Sequence, residues 1–318
     1  MRKGSLSMHW MAVPGLCLVA GLTACSTAGY RAPVAQFNEA AGIVVETSRV
    51  YITQVNKVER DKYIDERLAG RQPIELKEIQ ERVLLTPEEI EIRLEALEQL
   101  ARYGNLLLKL ANSDAPEAIA QSAEGLGKAV EHLSASVSAG LGRPENAGFK
   151  GAVGPVTAII GEVVRLAAER KIRQALDTAV KSGDKPLKDL LDVLSEEATA
   201  AYERKRNYLS RARTWAVDAY NEELQKGDRA NREALKQYAG QIRVQLDAWD
   251  AFAAAKPQEG LAALAEAQNA LVVYAKSPKN PKNLGEFVSE MERFLTRAKG
   301  VQQAVRKLSE TQAVRGSL

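Results

Sequence analysis

Between Phe287 and Leu308 the chain sets Phe287, Met291, Phe294, Ala298, Val301, Val305 and Leu308 alternately four and three residues apart. Only an α-helix carries such positions round to one side, because its 3.6-residue turn returns every third and fourth residue to the same face. A strand would scatter them over both faces. The seam lasts about three heptads, which predicts a helix packed inside a bundle or, second, against a partner as a coiled coil.

The same spacing recurs upstream. Phe37, Ala41, Val44, Ser48, Tyr51, Val55 and Val58 predict a first helix over 34–68, ended by the Ala69–Pro73 stretch. Residues 74–85 read as a short helix or a connector. Thr86-Pro87-Glu88-Glu89 is a capping box with proline at the first helical position. The helix it opens carries Ile90, Leu94, Leu97, Ala101, Gly104 and Leu108 and stops at Asn112-Ser113. Gly183 reads as a helix stop. The longest helix is predicted over 184–225, with Leu187, Leu191, Leu194, Ala198, Ala201, Tyr208, Trp215 and Ala219 on its seam. Helices over about 229–255, 258–276 and 283 onward follow, with Asn283 and Glu286 read as a cap. Alternating runs of β-branched residues are hard to find, and strong helix formers dominate. The fold expected is all-α: an elongated multi-helix bundle with long antiparallel helices.

Two stretches, 133–142 and 151–161, carry no charge, and Gly151, Gly154, Ala158 and Gly161 make a small-residue face. An all-round apolar helix belongs in the middle of a bundle or against lipid. Eleven uncharged residues are too few to span a bilayer, which takes about 20. Buried core is the expected role of 133–164, with insertion of this hairpin into lipid the alternative.

The amino-terminal stretch is of another kind. Arg2 and Lys3 precede an apolar run from Met11 to Leu22, and small residues then lead into Cys25. That is the order of a secretory signal. Leu22-Thr23-Ala24-Cys25 resembles the lipobox of bacterial lipoproteins. The resemblance covers about the first 25 residues. It implies cleavage between Ala24 and Cys25, diacylglycerol on the Cys25 sulfur and a further acyl group such as palmitate on the new amino terminus. Ser26, in place of the aspartate common in lipoproteins kept at the inner membrane, implies the outer membrane with the body in the periplasm. The expected division is a signal peptide over 1–24, a lipidated tether over 25–33 and a helical domain over 34–318.

Composition narrows the chemistry. Without residues 1–24, which hold Arg2 and Lys3 and no acid, 42 Lys and Arg face 41 Asp and Glu. That balance gives no nucleic-acid footprint. Cys17 and Cys25 are the only cysteines, and His132 is the only histidine beyond the leader. Disulfides, most zinc or copper sites and Cys–His catalysis are thereby set aside. Glu88-Glu89 and Glu196-Glu197 sit where helix starts and solvated faces want charge. No catalytic residue, metal site or cofactor is expected.

The densest basic cluster is Arg204, Lys205, Arg206, Arg211 and Arg213, with Tyr202, Tyr208 and Trp215 interleaved. It is a candidate anion-binding patch for an envelope polymer, lipid phosphates or an acidic partner. Its plainer reading is a helix whose aromatics face the core while its cations face water. The function expected is a non-enzymatic, membrane-anchored structural or binding protein: an adaptor, assembly factor or inhibitor. It would engage membrane lipid through Cys25 and a protein partner or envelope polymer through its helical faces.

Overall fold

The computed structural model describes residues 28–112 and 171–315, with scattered helical positions between them, among them 162–167. The expected signal peptide over 1–24, the expected cleavage site before Cys25 and nearly all of 133–164 lie outside the described residues. Seven α-helices are named here: α1 (Ala28–Ala69), α2 (Leu76–Glu81), α3 (Pro87–Asn112), α4 (Ile172–Leu224), α5 (Arg232–Ala254), α6 (Pro257–Lys276) and α7 (Pro281–Arg315). Among the described residues there is no strand. The all-α multi-helix bundle expected from the sequence is the fold found.

Side-chain pairs fix the directions. Arg31 Nε donates to the Ala111 carbonyl at 3.3 Å, the Phe37 and Tyr103 rings sit 6.5 Å apart, and Asn56 holds the chain at Leu84 and Leu85, so α3 runs back along α1. Tyr30 donates to Asp177 and Tyr208 to Asp65, so α4 runs parallel to α1. Tyr202 stacks on Phe252 at 4.5 Å, and Tyr30 meets Tyr274 edge-on at 5.0 Å, which sends α5 and α6 the other way. Phe37 against Phe294 at 6.0 Å and Lys299 on Glu39 at 2.8 Å return α7 alongside α1. Columns therefore alternate in direction. At about 1.5 Å per residue the 53 residues of α4 make a rod of roughly 80 Å.

Apolar spacing accounts for the packing. All seven residues of the α7 seam are buried, inside the bundle as the 4-3 pattern requires. On α1, Phe37, Ala41, Val44, Ser48 and Val55 are buried, with Tyr51 and Val58 half-buried. The Thr86 cap forms in both directions: Glu89 N–H donates to Thr86 Oγ1 at 3.2 Å, and Thr86 N–H donates to Glu89 Oε2 at 2.8 Å. Residues 74–85 are both things expected of them, a six-residue helix with nothing buried followed by a connector. Asn56 pins that connector, its amide donating to the Leu85 carbonyl at 2.7 Å and accepting from Leu84 N–H at 2.7 Å.

Three boundaries and one buried face differ from the sequence reading, each for a packing or capping reason. Helix α1 begins at Ala28, so 28–33 is helix and not tether. Tyr30 draws it in, buried between Tyr274 and Phe287 with its hydroxyl on Asp177. The break placed at Gly183 is absent, and α4 runs through both Gly183 and Pro186. Gly183 serves close approach instead: a Cβ there would lie 3.0 Å from Tyr103 Cε2, Tyr103 Oη and Leu187 Cδ1. The cap of α7 is Asn280, whose Oδ1 accepts from Asn283 N–H at 2.9 Å, so Asn283 is a donor to the cap and not the cap. On α3 the buried face is centred on Ala96, Leu97, Leu100, Tyr103, Leu107 and Leu110. Ile90, Leu94, Ala101 and Leu108 are only half-buried at its edge.

The described end of the 133–164 segment packs inward. Val163 belongs to the main core, with Val164 packed against it. No described helix is long and apolar enough to cross a membrane. Gly183→Val is expected to destabilise the bundle by about 1–3 kcal/mol through overpacking against Tyr103. Gly240→Ala, where a Cβ meets nothing within 4 Å, is expected to be neutral or stabilising by up to about 1 kcal/mol. Urea midpoints of the two variants check the contrast, and equal midpoints would contradict the role given to Gly183.

Candidate functional site

The five residues of the basic cluster on α4, Arg204 to Arg213, do not form one surface. Arg204 pairs with Glu59 of α1 at 3.4 Å, and Arg206 with Glu203 of its own helix at 3.1 Å. The Arg213 guanidinium lies 4.4 Å from the Trp249 ring centroid. Arg211 alone faces the cleft described below. Lys205 overturns the expectation that the cations face water: it is buried at 8 % exposure, its Nζ 5.8 Å from the Tyr51 ring and 5.9 Å from the Phe252 ring. Tyr202, Lys205, Tyr208 and Leu209 follow one another at helix-seam spacing, and that spacing takes Lys205 inside whatever its charge. Burial pushes its ammonium down from 10.5 to about 8, with Lys57 adding to the drop and Asp61 opposing it.

Trp215 departs from its expected place in the opposite sense. It stands 49 % exposed, one turn from Arg211, on the wall of a cleft of about 630 Å³ between α1, α4 and α5. The last two turns of α1, Lys62 to Ala69, form a second wall, where Leu68 is 64 % exposed. The third wall is α5, which presents Gln237, Gln241 and Gln245 one turn apart, with Gly240 between them. The opening has a cause in the topology. Helix α3 starts at Pro87, just beyond the connector that Asn56 holds, so its column ends short of Lys62–Ala69.

Polar groups in the cleft are unevenly satisfied. Asp65 accepts from Tyr208 Oη at 2.8 Å, Lys62 reaches Glu66 at 3.9 Å, and Lys236 reaches Glu233 at 3.4 Å. Arg211 makes no ion pair with any described residue. Gln245 is 8 % exposed, and both its Oε1 and that of Gln241 are shielded from solvent without a hydrogen-bond partner. Buried amide groups left unpaired cost about 1–3 kcal/mol each, so such a pair calls for an explanation. An apolar cleft with a few convergent polar groups is the ordinary form of a binding site.

The acids and the histidine singled out in the sequence lie elsewhere. Glu89 is spent on the Thr86 cap and Glu197 on Arg93, while Glu196 and the helical His132 are exposed. Among the described residues no group of three His, Cys, Asp or Glu side chains is placed to hold a metal ion. Comparison with protein-family models, curated proteins and solved structures finds no match to this chain.

The cleft was open to sequence reading only in part. Gln237, Gln241 and Gln245 stand at i, i+4 and i+8, a column on any helix. Polar columns usually mark the solvated face, so nothing in the pattern says that this one is enclosed.

Proposed function

We propose that this protein is a non-enzymatic binding lipoprotein, anchored through acylated Cys25 to the periplasmic face of the outer membrane. On this reading it takes a segment of a protein partner into the α1–α4–α5 cleft. The observation that carries the binding half is the pairing of exposed apolar walls, Trp215 and Leu68, with shielded and unpartnered amide oxygens at Gln241 and Gln245. The anchoring half rests on the order of leader, Leu22-Thr23-Ala24 and Cys25. The two halves fit each other. Helix α1 starts three residues after Cys25 and ends in the cleft wall. Its 42 residues give a reach of roughly 60 Å. A site at that end stands clear of the anchoring bilayer and faces what the periplasm holds.

Cys25→Ser is expected to move the protein from the membrane fraction to the soluble one, with the diacylglycerol mass lost. Retention in membranes through a high-salt wash, with no lipid mass on the parent, would refute the anchor. Trp215→Glu is expected to leave the melting temperature unchanged while the protein extracted from envelopes runs at its own size and not in a complex. An unchanged complex in that variant would remove the cleft from this reading.

A further inference from the structure

The three glutamines of the cleft wall match the repeat of an extended polypeptide. Successive positions i, i+4 and i+8 on α5 are separated by about 6 Å along the helix. An extended chain repeats every two residues, in about 6.6 Å, and turns alternate side chains to opposite sides. A carboxamide offers one acceptor and a donor group, the same complement as a backbone peptide unit. A column of carboxamides at this spacing therefore pairs with every second peptide group of a strand laid along it. Turned toward such a strand, the carboxamides of Gln241 and Gln245 gain a backbone N–H for Oε1 atoms that have no partner within the fold.

The adjoining wall, α4, supplies a side-chain code with the same repeat. Arg211 and Trp215 are also one turn apart, about 6 Å along α4. A strand held by the glutamines thus presents one side chain to the Trp215 ring and the next on that side, two residues away, to the Arg211 guanidinium. Arg211, which pairs with no described acid, asks for a carboxylate; Trp215, backed by Leu68, asks for an apolar group.

Resting on the reading of the cleft as the binding site, we propose that its occupant is an extended segment of a partner protein. Its backbone pairs with Gln237, Gln241 and Gln245, and it carries an apolar residue and an acidic residue two positions apart. Recognition of this kind is lenient in sequence, because most of its hydrogen bonds go to the main chain. Charge complementarity at Arg211 and the register of the amide column favour this occupant over a preformed helix, whose backbone groups are already spent on one another.

The test uses the full-length protein and a labelled probe peptide, acetyl-(Thr-Leu-Thr-Glu)₂-Thr-amide, followed by fluorescence anisotropy. Binding is expected, and the double variant Gln241→Met/Gln245→Met is expected to weaken it at least tenfold. The same variant should melt at or above the parent's temperature, since it removes two shielded, unpaired amide oxygens. That combination separates a binding role from a structural one. Gly240→Trp, which fills open space, should abolish binding without lowering the melting temperature. A helical stapled peptide and oleate serve as alternative occupants. If either binds in a manner blocked by Gly240→Trp while the probe does not bind, or if the Gln→Met variant binds the probe as the parent does, the extended-strand proposal is overturned and the cleft remains a site. If Gly240→Trp changes the binding of none of them, the cleft reading falls with it.

Discussion

Replacing Lys205 by methionine is expected to stabilise the fold at pH 7 by about 3 kcal/mol, the equivalent of the drop from 10.5 to about 8 in its ammonium. The sign follows from proton binding. Below about pH 8 the folded and unfolded chains both carry the proton, and the folded chain bears the whole cost of desolvating it. Between about 8 and 10.5 the unfolded chain binds more protons than the folded one, so the parent gains stability as pH rises through that window. Methionine fills a similar volume beside Tyr51 and Phe252 with no charge to bury. Urea unfolding at pH 7 and 9.5 measures both effects. The variant should start higher and lack the parent's rise, so the gap narrows as pH climbs. A variant less stable than the parent at pH 7 would mean that the ring contacts outweigh desolvation.

Arg93 is expected to show the opposite. Its Nε donates to Glu197 Oε2 at 2.6 Å, Nη2 pairs with the other carboxylate oxygen, and Nη1 donates to the Glu89 carbonyl at 2.8 Å. This fork joins α3 to α4 with the guanidinium at 9 % side-chain exposure and the carboxylate at 29 %. Arg93→Met strands the Glu197 charge and the Glu89 carbonyl. Because Glu197 keeps some water, the loss should be about 2–3 kcal/mol, below the 3–5 of a fully buried pair. Adding Glu197→Met should recover most of that loss, since two apolar side chains then meet where two charges met. Losses that simply add in the double variant would contradict the coupling.

These two residues also show where sequence reading succeeds and stops. Periodicity is a strong guide wherever apolar residues keep it, so the α7 seam and most of α1 could be read directly. Local chemistry is equally legible when it closes on itself within four residues, as the Thr86–Glu89 box does. Lys205 and Arg93 sit on seams too, but their charge argues for solvent, and only the neighbouring helices decide. Tyr103 decides for Gly183: a residue that would end an isolated helix is needed for contact with another one. Trp215 errs in the opposite direction, apolar and on a seam, yet exposed because α3 stops before it. The cleft depends on that absence, and no residue in its walls records where a distant helix begins.

Photocrosslinking in intact cells tests the proposed binding most directly, with a benzoylphenylalanine in place of Leu68 in the full-length protein. Leu68 lies in the cleft wall and is open to whatever enters. The expected result is one discrete adduct, abolished by Gly240→Trp and absent when the same group replaces Leu76 outside the cleft. A ladder of adducts unchanged by Gly240→Trp, or no adduct at all, would contradict the account.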